Sequence, residues 1–137
     1  MFLDASAIIA VVSREAGSEE IVRRLEAAVG PIRVSPIVRY EAVLGLARKL
    51  DGGTRSRTVL AAARATIEEF FRVIDAEEIP ISAEIGSLAL EASMTYGKAV
   101  GHQADLNFGD CFAYACAKNL NAALVYKGND FALTDLG

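Results

Sequence analysis

The sequence predicts an α/β fold, a central parallel sheet flanked by helices on both faces. Short apolar segments of extended character occur at Met1–Leu3, Ile32–Val34 and Leu124–Tyr126. Longer stretches of helical periodicity separate them, and strands alternating with helices pair in parallel through right-handed crossovers. The chain has 137 residues, 53% of them hydrophobic, which suits one domain of roughly 100–150 residues with a filled core. Residues 1–137 are read as a single domain, without repeats, linkers or low-complexity tracts.

Met1 to Leu3 reads as a buried strand that Asp4 closes, with Asp4-Ala5-Ser6 as the turn into a helix from Ala7 to Val12. A second helix, Ser18 to Ala28, ends before Gly30-Pro31, and Ile32-Arg33-Val34 is the next strand. Ser35 can cap the helix that follows, and Pro36 suits its first turn. Ile37, Tyr40, Val43, Leu44 and Ala47 form a stripe at helical spacing, with Glu41 half sheltered at its edge. Asp51-Gly52-Gly53 ends that helix. Thr54 to Phe71 forms the next, with a short extended piece near Ile74. Ser82 caps a helix reaching about Tyr96, and Gly97 to Asp105, with two glycines and no periodicity, reads as a loop. Asn107 caps a helix through Ala117, which puts Asp110 at its third position.

Four acids, Asp4, Glu41, Asp110 and Asp130, lie far apart in the chain, each read as lying where a strand or helix begins or ends. In open α/β sheets ligands bind beyond the carboxyl ends of the strands, where Asp4 and Asp130 fall. Asp110, at a helix N-terminus, can face the same cleft, and the helix dipole favours its ionised form. Carboxylates gathered without a cation raise one another's pKa, and a divalent metal resolves that repulsion. Oxygen ligands suit the hard ion Mg²⁺, usually held by one or two carboxylates plus substrate phosphate, with Mn²⁺ as a substitute. Taken singly, each acid has a plainer reading: Asp110 and Asn107 as a helix cap, Glu41 as a surface residue, Asp130 as part of a turn after Gly128-Asn129. Asp4 is the exception, since a charge directly after an apolar strand is costly unless solvated or bound.

Composition narrows the classes further. Setting those four acids aside leaves 14 of the 18 acids against 14 Lys and Arg, so the net charge of −4 does not exclude a nucleic-acid substrate. Arg39, Arg48, Lys49, Arg55, Arg57 and Arg64 concentrate in one stretch, either as phosphate contacts or as a solvated helix face. No apolar run approaches the ~20 residues that span a bilayer, and the N-terminus has an acid where a signal peptide needs positive charge, which implies a cytoplasmic protein. Cys111 and Cys116, with one histidine in the chain, cannot form an ordinary structural zinc site and are read as buried thiols. His102 is read as a loop residue.

FLDASAIIA at the N-terminus, the SPIVRYEAVLGLA helix, LNFGDCFAYACAK and LVYKGNDFALTDL resemble, in order and over nearly the whole chain, the four motif blocks of PIN-domain ribonucleases of the VapC toxin type. The resemblance implies that Asp4 and Asp110 are the central Mg²⁺ ligands and that Glu41 and Asp130 complete the acidic pocket. Where many members place an acid two residues after a threonine in the last block, this chain reads Tyr126-Lys127-Gly128-Asn129-Asp130, so Asn129 and Asp135 stand as substitutes for the fourth position.

The resemblance further implies an Mg²⁺-dependent endoribonuclease, a cognate antitoxin whose C-terminal segment blocks the cleft, and a homodimer with a shared groove. From chemistry alone, a metal-bound water would attack phosphorus in line, with one ion or a pair ~4 Å apart. Ser6 supports Asp4 by hydrogen bonding or caps the helix. Lys98, His102 and Lys127 are candidate phosphate contacts near the mouth, which set register rather than sequence choice. A neutral background gives little general attraction, so a folded RNA is expected as target rather than any strand. Two other classes compete. A phosphoryl hydrolase with an aspartyl nucleophile usually has a second acid nearby, where this chain has Ala5 and Ser6. A non-catalytic PIN-like module, binding RNA or protein, would be expected to lack members of the acidic set.

Overall fold

The structure, a computed structural model, describes residues 1–51 and 56–137. Its sheet has four two-residue strands: β1 (Phe2–Leu3), β2 (Arg33–Val34), β3 (Glu77–Glu78) and β4 (Leu124–Val125). All pair in parallel in the order β3-β2-β1-β4, with Phe2 opposite both Arg33 and Leu124, and Leu3 opposite Val125. The expected parallel α/β sheet is therefore present. Phe2, Leu3, Val34, Leu124 and Val125 are buried, as continuous apolar strands covered on both faces require. β3, foreseen only as an extended piece near Ile74, is an edge strand of two exposed glutamates. Arg39 Nε donates to Glu78 at 2.7 Å, and Arg33 lies 3.4 Å from Glu77, so charge rather than apolar surface finishes that edge.

The helices are α1 (Ala5–Val12), α2 (Ser18–Glu26), α3 (Pro36–Asp51), α4 (Arg57–Val73), α5 (Ala83–Tyr96) and α6 (Phe108–Asn119). Right-handed crossovers put α1 to α4 on one face, because β1, β2 and β3 step one way, and α5 and α6 on the other, because the chain returns to β4. Accordingly α1 packs on α2, α3 and α4, α5 packs on α6, and α6 lies against β1 and β4. The core gathers Phe2, Leu3, Ile8, Val34, Val38, Ile67, Ile85, Leu106 and Phe131.

Several boundaries differ from the sequence reading. α1 begins at Ala5 rather than Ala7, because Asp4 is its N-cap: the Ser6 N–H donates to Asp4 Oδ2. α2 ends at Glu26, two residues short of Ala28. α4 begins at Arg57 with Ser56 as cap and runs to Val73, and the expected Gly52-Gly53 break, the Thr54 start and Arg55 lie outside the described residues. The loop from Gly97 holds a 3₁₀ turn at Lys98–Val100. On α3 the Ser35 cap is as expected, with its Oγ accepting from the Val38 N–H at 3.2 Å. The buried face, however, is Val38, Ala42, Gly45, Leu46 and Ala47, not the stripe through Tyr40. Tyr40 is 66% exposed, and the small Ala42, Gly45 and Ala47 on the buried face let α3 sit close to α1. A Cβ on Gly45 would stand 2.4 Å from the Ile9 side chain.

Candidate active site

The strand order reverses between β1 and β4, and in open α/β sheets the crevice at such a switch point is where ligands bind. Asp4 follows β1 and Asp130 comes five residues after β4. α3 and α6 bring Glu41 and Asp110 to the same end of the sheet.

Asp4 is 5% exposed. Its Oδ2 accepts from both the N–H (2.9 Å) and the hydroxyl of Ser6. Ser6 Oγ in turn accepts from the Lys127 N–H at 3.0 Å, so one serine ties the end of β1 to the loop after β4. Burial pushes the Asp4 carboxyl up; the Ser6 and Ala5 bonds hold it down, and the charge of Asp130 adds to the rise. Ser6 thus supports Asp4, and the cap of α1 is Asp4 itself.

Asp110 opens α6 in a reciprocal capping box. Its Oδ2 accepts from the Asn107 N–H at 2.9 Å, and Asn107 Oδ1 accepts from the Asp110 N–H at 3.1 Å. The capping reading of Asp110 is therefore correct in geometry, and it leaves Oδ1 outside the cap. Burial raises its pKa to about 6; the Asn107 bond lowers it, and the charges of Asp4, Asp130 and Asp105 raise it. Asp105 was not foreseen. It is an exposed residue in the left-handed region at φ 52°, and nothing in its sequence context marked it.

Glu41 reaches from α3 toward the first turn of α6. Burial, then the charges of Asp4 and Asp110, raise its pKa to about 7, with Arg48 opposing. Among the described residues, its Oε1 is buried without a hydrogen-bond partner. It fits there because residue 109 is glycine: a Cβ on Gly109 would lie 2.0 Å from Oε2 and 2.1 Å from Oε1.

Asp4 and Asp110 are thus brought within electrostatic reach of each other, of Glu41 and of Asp130. Among the described residues, no three His, Cys, Asp or Glu side chains converge tightly enough to hold a metal ion together, so the gathering is looser than a four-acid pocket closed around an ion. It suits an ion that takes one or two carboxylates and keeps much of its water. All the donors are hard oxygens, and among the described residues Glu41 Oε1 lacks the hydrogen-bond partner that buried carboxylate oxygens ordinarily have. The donor chemistry fits a hard divalent cation.

Other candidates are placed elsewhere. Asp135 accepts from the Tyr114 hydroxyl at 2.7 Å and pairs with Lys118 at 2.8 Å, which holds its pKa low. Lys127 Nζ donates to the Ala16 carbonyl at 2.8 Å. His102 Nδ1 accepts from the Ala104 N–H at 3.0 Å, and its ring packs edge-on to Tyr96. Lys98 lines an apolar groove between α5 and α6. Of the basic stretch, Arg39, Lys49 and Arg64 pair with Glu78, Glu15 and Glu68; such exposed pairs are weak and can be exchanged for phosphate. Cys111 and Cys116 are buried thiols, with burial raising Cys116 to about 11.

A family model of the PIN domain matches residues 1–136. The chain is 44% identical to a VapC ribonuclease of Rhizobium meliloti over 140 residues, covering 99% of each protein. It is 33% identical to ribonuclease VapC30 of Mycobacterium tuberculosis over 139 residues, covering 99% of this chain and 95% of that one. Among solved structures, it resembles Mycobacterium tuberculosis VapC20, described as a sarcin–ricin loop cleaving toxin, with a TM-score of 0.70 at 15% identity, covering 96% of this chain and 92% of that one. It also resembles a chain of a toxin–antitoxin complex from Klebsiella pneumoniae, with a TM-score of 0.66 at 20% identity, covering 98% and 92%. These two likenesses concern the fold.

Proposed function

The chain belongs to the PIN-domain family, in its VapC group, and from that premise we propose that it is an Mg²⁺-dependent endoribonuclease, the toxin of a toxin–antitoxin pair. The observation that carries this reading is the convergence of Asp4, Glu41 and Asp110 from three separate elements, each with its pKa raised by burial and by neighbouring acids. Titratable groups perturbed in this way cluster at functional sites.

Asp4 and Asp110 would hold the ion, with Mn²⁺ as a substitute, and Asp130 at the exposed rim would add negative charge. The ion supplies charge neutralisation at the phosphate oxygens and a more acidic water. Ser6 orients Asp4, and the Asn107 cap orients Asp110. Glu41 has its pKa raised to about 7 in the ion-free site; beside a bound cation it would be more acidic and would serve as a proton acceptor. The single domain, residues 1–137, would act as a homodimer on a folded RNA in the cytoplasm, and a cognate antitoxin would cover the cleft. Among the described residues, no helix is long and apolar enough to cross a membrane.

The test incubates the purified chain, freed of co-purified protein, with total bacterial RNA in Mg²⁺, Mn²⁺ or EDTA, beside Asp110→Asn. Discrete metal-dependent fragments absent from the variant are expected. Intact RNA throughout, with equally weak Mg²⁺ binding by both proteins, would favour a non-catalytic module.

A further inference from the structure

Beside the carboxylates lies a cleft of about 540 Å³ between the first turns of α3 and α6, lined by Pro36, Ile37, Tyr40, Glu41, Phe108 and Gly109, with Asn107. Two large aromatic side chains stand at it in the open: Phe108 is 71% and Tyr40 66% exposed. Neither position is needed by the core. Phe108 is the first residue of α6, two before Asp110, and rests on Phe112 with ring centroids 4.9 Å apart; Tyr40 immediately precedes Glu41. Glu41 is at once a wall of this cleft and a member of the acidic cluster, so an occupant of the cleft lies next to that cluster.

Tyr40 also borders the neighbouring depression, which Arg57 and Arg64 line together with Val43, Leu44 and Leu60. Acids, aromatics and arginines thus follow one another across two adjoining depressions that share Tyr40. Proteins that hold unpaired strands combine aromatic stacking platforms with basic groups that follow the backbone.

We propose that Phe108 and Tyr40 form a nucleobase subsite for one unpaired nucleotide next to the scissile phosphate, with Arg57 and Arg64 receiving the phosphate beyond it. The inference rests on the nuclease reading and adds to it a requirement: the target must offer an unstacked base at the cut, as a loop or bulge does. Phosphate contacts alone would not impose this.

The chain contains no tryptophan, so Phe108→Trp introduces a single indole whose fluorescence a stacked base quenches. The probe is a single-stranded RNA oligonucleotide in EDTA, so that binding is read without turnover. Quenching that saturates, and that Tyr40→Ala weakens, is expected. In Mg²⁺, Phe108→Ala is expected to raise KM roughly ten-fold or more with its thermal transition retained, while Phe108→Trp stays near wild type and Phe108→Leu behaves like alanine. An unquenched indole together with wild-type kinetics in Phe108→Ala would overturn the subsite and leave the nuclease reading intact. Quenching by RNA in a chain that cleaves none would support the subsite and fault the nuclease reading. Phe108→Ala that weakens only the hold of a protein partner would assign the cleft to that partner, and the proposal would fall.

Discussion

Gly109 leaves the space that the Glu41 carboxylate fills: a Cβ built at residue 109 would come within 2.0 Å of Glu41 Oε2. The residue before Asp110 thereby fixes where a carboxylate from a different helix can stand. Gly109→Ala is expected to push that carboxylate out of the cleft and to cut RNA cleavage to near the level of Glu41→Gln. Stability should hold or rise by up to about 1 kcal/mol, because alanine is the better helix residue. Thermal unfolding and cleavage rates on the same samples check this, and shortening the acid with Glu41→Asp in the Gly109→Ala background should restore part of the activity.

Stability without divalent ions should fall as pH rises through neutrality. Glu41 is raised to about 7 and Asp110 to about 6 in the folded chain, against ordinary values of 4.5 and 3.8. The folded state therefore binds more protons than the unfolded one between about pH 4 and 7. The contribution is fully present below the unfolded values and is lost as pH passes the folded ones. Melting temperatures from pH 4.5 to 8 in EDTA check the slope. Mg²⁺ or Mn²⁺ should flatten it from above, raising the transition at pH 8 and much less at pH 5, since the ion binds the ionised carboxylates.

Asp110→Asn keeps an oxygen that can accept from the Asn107 N–H, so the α6 cap should survive while one charge leaves the cluster. The ion-free variant should be at least as stable as wild type, because repulsion with Asp4 and Asp130 is relieved. Cleavage should drop about 100-fold or more, the loss of several kcal/mol of charge stabilisation at the ion. A variant that unfolds instead would count against this account of the cap.

Ser6→Ala removes a hydroxyl that donates to Asp4 and accepts from the Lys127 N–H. The half-buried methyl cannot replace either bond, and about 1–3 kcal/mol of stability should be lost. Losing a bond that lowers the Asp4 pKa should weaken divalent-ion affinity by roughly 10–100-fold. Calorimetric titration with Mn²⁺ separates this effect from simple unfolding.

The two candidates for the fourth acid differ in their partners. Asp135 serves Tyr114 and Lys118, whereas Asp130 acts on Asp4 and Asp110 through its charge. Asp135→Asn should cost about 1 kcal/mol of stability and leave cleavage near wild type. Asp130→Asn should lower cleavage with little change in melting temperature. Reversed results would move the fourth position to Asp135.

What the sequence determined by itself was local or alternating in character. Short triplets, apolar but for Arg33, between helical stretches specified parallel strands, and Ser35, Ser82 and Asn107 marked helix starts because caps depend on a few adjacent residues. The acids Asp4, Glu41, Asp110 and Asp130 could be picked out because each stands near an element boundary or a half-buried edge. Tertiary structure decided the rest. The buried face of α3 follows from how closely α1 approaches it, so Tyr40 faces outward although its spacing from Val43 and Leu44 looked apolar. The edge strand Glu77–Glu78 has no apolar signature, since its neighbours Arg33 and Arg39 satisfy it from other elements. The pairing of Gly109 with Glu41 spans 68 positions of sequence. Only the packing of α3 against α6 could bring them together, because a side chain's room is set by whatever the fold places beside it.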